Sequence, residues 1–115
     1  MLTTEEKTQA IVAALEDIKA IDIIVLDTSK LSPLFERMII ASANSPRQTR
    51  ALADNVEKQL KLRGEEVLGM EGEGSGEWML VDLGEVVVHI MQPAVRAYYN
   101  LEELWNMKHL PHAAA

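Results

Sequence analysis

The residues best suited to chemistry are two glutamates in a glycine-rich segment, Glu71 and Glu73, which alternate with Gly72, Gly74 and Gly76. Paired carboxylates can bind a metal ion or act as general acid and base, and a glycine-rich loop can hold a phosphate group. A phosphate loop leads into a helix, however, whereas this segment leads into a predicted strand and carries acids where a phosphate would lie. No His or Asp in the neighbouring sequence completes a catalytic set. We therefore predict a hairpin turn whose glutamates make charged contacts with a partner.

The histidines could also do chemistry, but each has a plainer interpretation. His109 and His112 have a spacing that some metal sites use, yet they lie in a tail with a proline between them and no further ligand. His89 interrupts an apolar strand, where alternation puts it on one face with Val87 and Met91. We predict a hydrogen-bonded core or inter-subunit histidine there. The chain has no cysteine, and no Ser/His/Asp arrangement is recognisable, so the sequence predicts no metal, no cofactor and no catalytic residue.

Aromatic residues are concentrated near the C-terminus, where the last third of the chain holds Trp78, Tyr98, Tyr99 and Trp105. Trp and Tyr bury a large area on binding at little entropic cost, so they are frequent in interface hot spots. Trp78 stands between the acidic turn and Asp82, and we predict that it is a surface anchor. For Trp105, packing in the core is as good an interpretation as a surface contact. The predicted partner-binding residues are Met70, Glu71, Glu73, Trp78, Leu80, Asp82, Tyr98 and Tyr99.

Charge is distributed unevenly along the chain. The 11 basic and 18 acidic residues give a net charge of −7. Residues 64–95 contain seven acids and no Lys or Arg, so the whole net charge lies in this segment. Nucleic-acid binding depends on Lys and Arg that neutralise phosphates, and this segment would repel nucleic acid. It would attract a basic protein; the alternative is that the acids merely keep a small protein soluble.

The length of 115 residues is that of one domain with a self-supporting core. No apolar run approaches the ~18 residues of a membrane span, and the N-terminus lacks the pattern of a signal peptide. We expect one domain over residues 1–107, a loose tail over residues 108–115 and a cytoplasmic location.

The elements that must position these residues follow from the apolar periodicity. A capping box of Thr3 and Glu6 begins a first helix, and Ser45-Pro46 begins a second helix that ends before Gly64. Continuous β-branched runs predict two strands covered on both faces, at residues 22–27 and 37–41.

After Gly64 the apolar residues recur with the two-residue period of strands. We predict a strand at residues 66–70, then a hairpin of two strands, 78–82 and 85–91, joined through Leu83-Gly84. Two short helices follow at 94–99 and 101–105, the second capped by Asn100. The order α-β-β-α-β-β-β-α predicts an α/β fold in which helices flank a mixed sheet of about five strands.

Several of these segments are weak signals singly but occur here in a combination that is specific. They are the acid-glycine-acid turn at 71–73, the strand that Trp78 begins, the Val-Val-His strand around His89, and the runs at 22–27, 38–42 and 99–105. From about Lys7 to Trp105 the chain resembles the ribosomal silencing factors, also called the Iojap family. The resemblance implies a nucleotidyltransferase-like α/β fold without transferase chemistry. The residues agree, because no Gly-Ser is followed by the Asp-x-Asp pair that holds metals for such chemistry.

The resemblance further implies binding to the large ribosomal subunit through ribosomal protein uL fourteen. A protein docked there blocks the small subunit sterically and lowers translation when nutrients are scarce, and family members are often homodimers when free. The expected partners are thus the large subunit and a second copy of the chain, with no direct nucleic-acid specificity and no membrane. The alternatives are a large-subunit assembly factor that uses the same contact and an enzyme that retains nucleotide binding.

Overall fold

The computed structural model describes the chain except for residues 73–74, 106–108 and 111–115. In chain order the elements are α1 (Thr4–Asp17), β1 (Ile21–Asp27), β2 (Arg37–Ser42), α2 (Pro46–Leu62), β3 (Gly69–Glu71), β4 (Trp78–Asp82), β5 (Val86–Met91), α3 (Pro93–Tyr99), α4 (Leu101–Trp105) and β6 (His109–Leu110). The predicted order of elements is confirmed, with one further two-residue strand at the end. Across the described residues, every helix is too short or too polar to cross a membrane.

Both long helices begin at the predicted caps. Thr3 Oγ1 accepts a hydrogen bond from the backbone N–H of Glu6 at 3.1 Å, and Glu6 Oε1 accepts one from the N–H of Thr3 at 2.9 Å. The bond from the N–H of Thr3 to the Glu6 carboxylate, together with the Thr3 side chain, holds the pKa of Glu6 below its usual value. At α2, Ser45 Oγ accepts from the N–H of Gln48 at 3.1 Å, and Pro46 occupies the first turn. Each cap satisfies N–H groups that otherwise lack partners, which determines where the helix begins.

The six strands of the described residues form one mixed sheet in the order β3-β4-β5-β2-β1-β6. β2 and β5 run parallel, and the other neighbouring pairs are antiparallel. β4 and β5 form the predicted hairpin, in which Asp82 Oδ1 accepts from the N–H of Gly84 at 2.9 Å. Gly84 has a φ of +90°, a conformation that glycine adopts easily because it has no Cβ.

The two faces of the sheet are covered to different extents. One face packs against α1 and α2 around a core that includes Ile11, Leu15, Leu52, Val81 and Val88. The other face carries a smaller cluster formed by Leu26, Met38, Ile40 and Met91. The short helices α3 and α4 contribute Val95 and Leu101 to this cluster. The prediction of strands covered on both faces is confirmed for β2, whereas β1 begins with two exposed residues.

The third strand is shorter and begins later than predicted, at Gly69–Glu71 rather than at 66–70. Gly69 lies opposite Asp82, which is the last residue of β4. Leu68 still donates its N–H to the carbonyl of Asp82 at 2.8 Å. Pairing stops there because the neighbouring strand turns away into the hairpin.

Asn100 ends a helix, whereas the sequence predicted that it would begin the next one. It ends α3 in the left-handed conformation, with a φ of +48°, and its N–H donates to the carbonyl of Arg96 at 2.8 Å. Its side-chain amide donates to the carboxylate of Glu103 at 2.8 Å. Asn100 and Glu103 are thus joined through their side chains. Asn tolerates the left-handed region better than most residues, which explains why it ends a helix here.

The last strand lies within the segment predicted to be a loose tail. His109 and Leu110 pair with β1, opposite Leu26 and Val25. The sequence did not predict this pairing, because a two-residue strand is too short to show a period. The loose tail over residues 108–115 otherwise stays a prediction. His112 and the rest of the tail lie outside the described residues.

Candidate partner-binding surface

Strand β4 presents alternate residues to the face of the sheet opposite α1 and α2. Met79 and Val81 are buried against those helices, whereas Trp78, Leu80 and Asp82 are half-buried on the opposite face. This alternation follows from the two-residue period of a strand. Trp78 and Leu80, both among the predicted partner-binding residues, therefore share one face.

Neighbouring strands add residues to this face at matching positions. In the register, Leu80 lies between Glu71 of β3 and His89 of β5. Directly opposite residues point to the same face of a sheet. Glu71, Leu80 and His89 therefore form one row across the sheet, and Trp78, opposite Met91, stands in an adjacent row.

Four rings lie next to one another at this face, and we call His89, Trp78, Tyr99 and Tyr98 the aromatic cluster. The Nε1–H of Trp78 donates to Nδ1 of His89 at 2.9 Å. The ring centroids of Trp78 and Tyr99 are 4.7 Å apart, and those of Tyr99 and Tyr98 are 5.1 Å apart in an edge-on arrangement. Tyr99 is 51% exposed and Tyr98 is 82% exposed. The cluster thus extends from the sheet into solvent.

Two cavities adjoin on the same face. One, of about 250 Å³, is lined by Glu71, Gly72, Trp78, Leu80 and His89. The other, of about 570 Å³, is lined mainly by apolar side chains, among them Leu34, Phe35, Leu68, Val87 and Leu101. Leu80 and His89 line both cavities, so the two adjoin, and together we call them the apolar groove. Concave apolar surfaces with a few polar groups are typical of binding sites.

Six of the eight predicted partner-binding residues lie on this side of the molecule: Glu71, Trp78, Leu80 and Asp82 on the sheet, and Tyr98 and Tyr99 on α3. Met70 does not, because it lies opposite Val81 and packs against the core under α1 and α2. A residue between two surface positions of a strand points the other way. Glu73 lies outside the described residues. A contact between these side chains and a partner stays a prediction.

Apolar residues before β2 also border the groove, and the sequence patterns did not indicate them. Leu34 is 80% exposed, and its neighbour Phe35 packs against the smaller core cluster. The available signal was the run of apolar residues around Pro33, which fits neither a helix nor a strand. An apolar segment without a period of its own is a candidate for a surface contact.

The acidic segment at 64–95 is not one exposed face. Nζ of Lys7 lies 3.0 Å from a carboxylate oxygen of Glu65 and 2.7 Å from one of Glu85. Glu65 also accepts from the N–H of Leu2 at 2.9 Å. This bond, together with the one from Lys7, holds the pKa of Glu65 below its usual value. Among the described acids of this segment, Glu65 and Glu85 are therefore paired with Lys7, which reduces the charge available to a partner.

Among the residues that the structure describes, few polar groups lie on the candidate surface. Glu71 is exposed and Asp82 is half-buried. Burial lowers the pKa of His89 to about 4, so its ring is uncharged near neutral pH. Within the described parts of the chain, no group of three or more His, Cys, Asp or Glu side chains is arranged to hold a metal ion. The arrangement suits recognition of another molecule by apolar contacts, oriented by two carboxylates.

The fold and this surface define a small α/β domain that carries an apolar binding face on one side of a mixed sheet. Residues 2–114 match the family model described as ribosomal silencing factor during starvation. The chain belongs to this family of ribosomal silencing factors, as its sequence segments predicted.

Individual relatives agree with the family match. A ribosomal silencing factor of Chromobacterium violaceum is 56% identical over 101 residues, which cover 88% of this chain and 83% of the relative. A crystal structure of a protein from the same organism superposes with a TM-score of 0.90 at 51% identity, covering 99% of this chain and 95% of that chain. A more distant relative, the mouse protein named mitochondrial assembly of ribosomal large subunit protein 1, is 31% identical over 85% of this chain and 44% of its own length.

Proposed function

We propose that this chain binds the large ribosomal subunit through ribosomal protein uL fourteen and blocks the joining of the small subunit. Translation is thereby repressed when nutrients are limited. Family membership supports the connection with the ribosome, since residues 2–114 match the silencing factors. The proposed function is one of binding in the cytoplasm and requires no catalytic step.

The exposed aromatic cluster beside the apolar groove is the observation that best supports a docking role. Tyr98 and Tyr99 expose much of their rings, and Leu68 at the groove is 60% exposed. Covering apolar surface of this kind contributes about 25 cal/mol for each Å² removed from water. The rings of Trp78 and Tyr99 already pack against each other, so they lose little conformational freedom when a partner docks.

The acidic charge of this surface favours binding to a ribosomal protein over binding to the ribosomal RNA around it. Ribosomal proteins are generally basic, and Glu71 and Asp82 at the groove would attract their Lys and Arg side chains. The same carboxylates, and the net charge of −7, disfavour contact with RNA phosphates. Such charges act mainly on orientation and association rate, and salt screens them beyond about 8 Å.

The test is co-sedimentation of the protein with purified large subunits in a sucrose gradient, followed by a subunit-joining assay. The wild-type chain should co-sediment, prevent joining and be displaced by isolated uL fourteen. Trp78→Ala should weaken binding by about 2 kcal/mol, or roughly thirtyfold. Leu62→Ala is the matched control, because Leu62 is 73% exposed but lies on α2, against the opposite face of the sheet.

The two possible negative results contradict different claims. Absence of wild-type co-sedimentation contradicts the proposed function. Undiminished binding by a folded Trp78→Ala protein contradicts only the assignment of Trp78 as an anchor.

Assembly of the large subunit is a second candidate function, favoured by the name of the mouse relative that is 31% identical to this chain. Both functions need the same docking surface. Deletion of the gene distinguishes them: an assembly factor leaves immature large subunits in rich medium, whereas a silencing factor leaves normal subunits and fails to repress translation during starvation.

We also propose that the free chain is a homodimer and that it does not turn over nucleotides. Sedimentation velocity at micromolar concentration should give the dimer mass, and a monomer contradicts the proposal. Incubation with labelled nucleotides and a divalent metal should leave the nucleotides unchanged, and turnover would instead select the enzyme alternative.

A further inference from the structure

One side-chain hydrogen bond joins two adjacent strands on the candidate surface. Trp78 lies opposite Met91 in the register, and His89 lies opposite Leu80, so the bond between Trp78 and His89 is diagonal. Its length of 2.9 Å is that of a well-formed N–H bond. An indole N–H can only donate, so His89 Nδ1 must be the acceptor.

This bond constrains the protonation of His89. Nδ1 accepts only when it carries no proton, so the ring must be neutral with its proton on Nε2. Burial on the sheet disfavours the charged form and lowers the pKa of His89 to about 4. The acceptor is therefore available at neutral pH. In the part of the chain that the structure describes, the bond to Trp78 is the only side-chain hydrogen bond of His89.

The bond also limits the orientation of Trp78. The indole is half-buried, packs against the smaller core cluster and lies 4.7 Å from Tyr99, centroid to centroid. Rotation about its χ angles would break the bond to His89 and the contact with Tyr99 together. A side chain held in one rotamer before docking loses less conformational freedom when the partner binds.

We infer that His89 is a positioning residue for the docking surface: its Nδ1 holds the indole of Trp78, and through it Tyr99, in the orientation that the ribosomal partner meets. The inference rests on the proposed function, because it concerns the same surface. His89 acts through Trp78, so its contribution to binding should vanish when the indole N–H is absent.

Four variants of the full chain separate this role from general packing. His89→Asn keeps an acceptor oxygen close to the position of Nδ1, and His89→Leu removes the acceptor at similar volume. Trp78→Phe removes the donor and keeps an aromatic ring. The double variant Trp78→Phe with His89→Leu completes the cycle. His89→Gln, which places its oxygen farther from the backbone, replaces His89→Leu if the latter does not fold.

The first measurement is the indole N–H signal of Trp78 in a proton–nitrogen correlation spectrum. The chain has two Trp residues, so the signal that Trp78→Phe lacks belongs to Trp78. His89→Leu should move this signal upfield and speed its exchange with solvent, whereas His89→Asn should keep it near the wild-type position.

The second measurement is affinity for purified large subunits. His89→Leu should weaken binding about threefold to tenfold, the range expected for one neutral hydrogen bond, and His89→Asn should recover most of that loss. In the Trp78→Phe background, His89→Leu should cause no further loss.

Three outcomes overturn the inference while leaving the proposed function intact. They are wild-type affinity for folded His89→Leu, equal losses for His89→Leu and His89→Asn, and an undiminished effect of His89→Leu in the Trp78→Phe background. Failure of the wild-type chain itself to bind large subunits is a different result, which contradicts the proposed function and the inference with it.

Discussion

Nζ of Lys7 lies 3.0 Å from a carboxylate oxygen of Glu65, and both side chains are 6% exposed. The same ammonium lies 2.7 Å from Glu85 and donates to the carbonyl of Leu83 at 3.3 Å. One buried cation thus connects α1 with the chain after α2 and with the hairpin of β4 and β5. Burial alone would lower the pKa of Lys7, but the hydrogen bonds with Glu85 and Glu65 outweigh it and raise that pKa.

Lys7→Met should lower the free energy of unfolding by about 3 kcal/mol, because it leaves the carboxylate of Glu65 buried without its cation. Urea unfolding at neutral pH measures this. Lys61→Met is the matched control, since Lys61 pairs with Glu57 at 3.2 Å on the surface of α2 and should change stability by less than about 0.5 kcal/mol. Similar losses for the two variants would contradict the importance of the buried pair.

Mild acid should destabilise the protein through His89. Its pKa in the folded chain is about 4 against an ordinary 6.5, so between these values the unfolded chain binds more protons than the folded one. The contribution of uncharged His89 to the free energy of unfolding is therefore complete above about pH 6.5. It is lost as the pH falls toward 4. Between about pH 7 and pH 5 the free energy of unfolding should fall by about 2 kcal/mol.

The variant His89→Asn is the control for this pH dependence. It should lack the His89 contribution to the loss between pH 7 and pH 5, as measured by urea unfolding at both pH values. The carboxylates whose pKa is lowered on folding, Glu6, Asp27 and Glu65, titrate below this window when unfolded, with ordinary pKa values of 4.5 or 3.8. An unchanged slope in His89→Asn would show that other groups are responsible.

Gly72→Ala should destabilise the acidic turn far more than Gly69→Ala. Gly72 has a φ of +97°, and a Cβ there would lie 2.0 Å from the carbonyl oxygen of Trp78. We expect a loss of more than about 2 kcal/mol and a displaced indole signal of Trp78. Gly69 lacks a positive φ and has no neighbouring atom within 4 Å of such a Cβ among the described residues, so its variant should stay within about 1 kcal/mol. Thermal unfolding compares the pair, and equal Tm values would contradict the clash.

Tyr98→Ala should separate binding from folding. Tyr98 is 82% exposed, so its removal should change the free energy of unfolding by less than about 0.5 kcal/mol. It should nevertheless weaken binding to large subunits by about 1 kcal/mol, or roughly fivefold. Leu62→Ala, also exposed, should affect neither quantity. Full affinity in Tyr98→Ala would exclude Tyr98 from the docking surface.

The local features of the fold were predictable because each depends on a few neighbouring residues. Ser45 with Pro46 begins α2, and Thr3 with Glu6 begins α1, since a cap needs only a side chain and the next turn of backbone. Asn100 was predicted less well. Whether it begins one helix or ends another depends on how α3 and α4 pack, which the residues around it do not reveal.

The sequence by itself determined the two capped helices, the hairpin and the alternation that puts Trp78, Leu80 and Asp82 on one face. These depend on hydrogen bonds and side-chain periods within short segments. The tertiary structure alone decided that Trp78 bonds to His89, that Met70 faces the helical core and that Lys7 neutralises Glu65. Each of these depends on strand register or on the packing of segments far apart in the chain, and a linear pattern specifies neither.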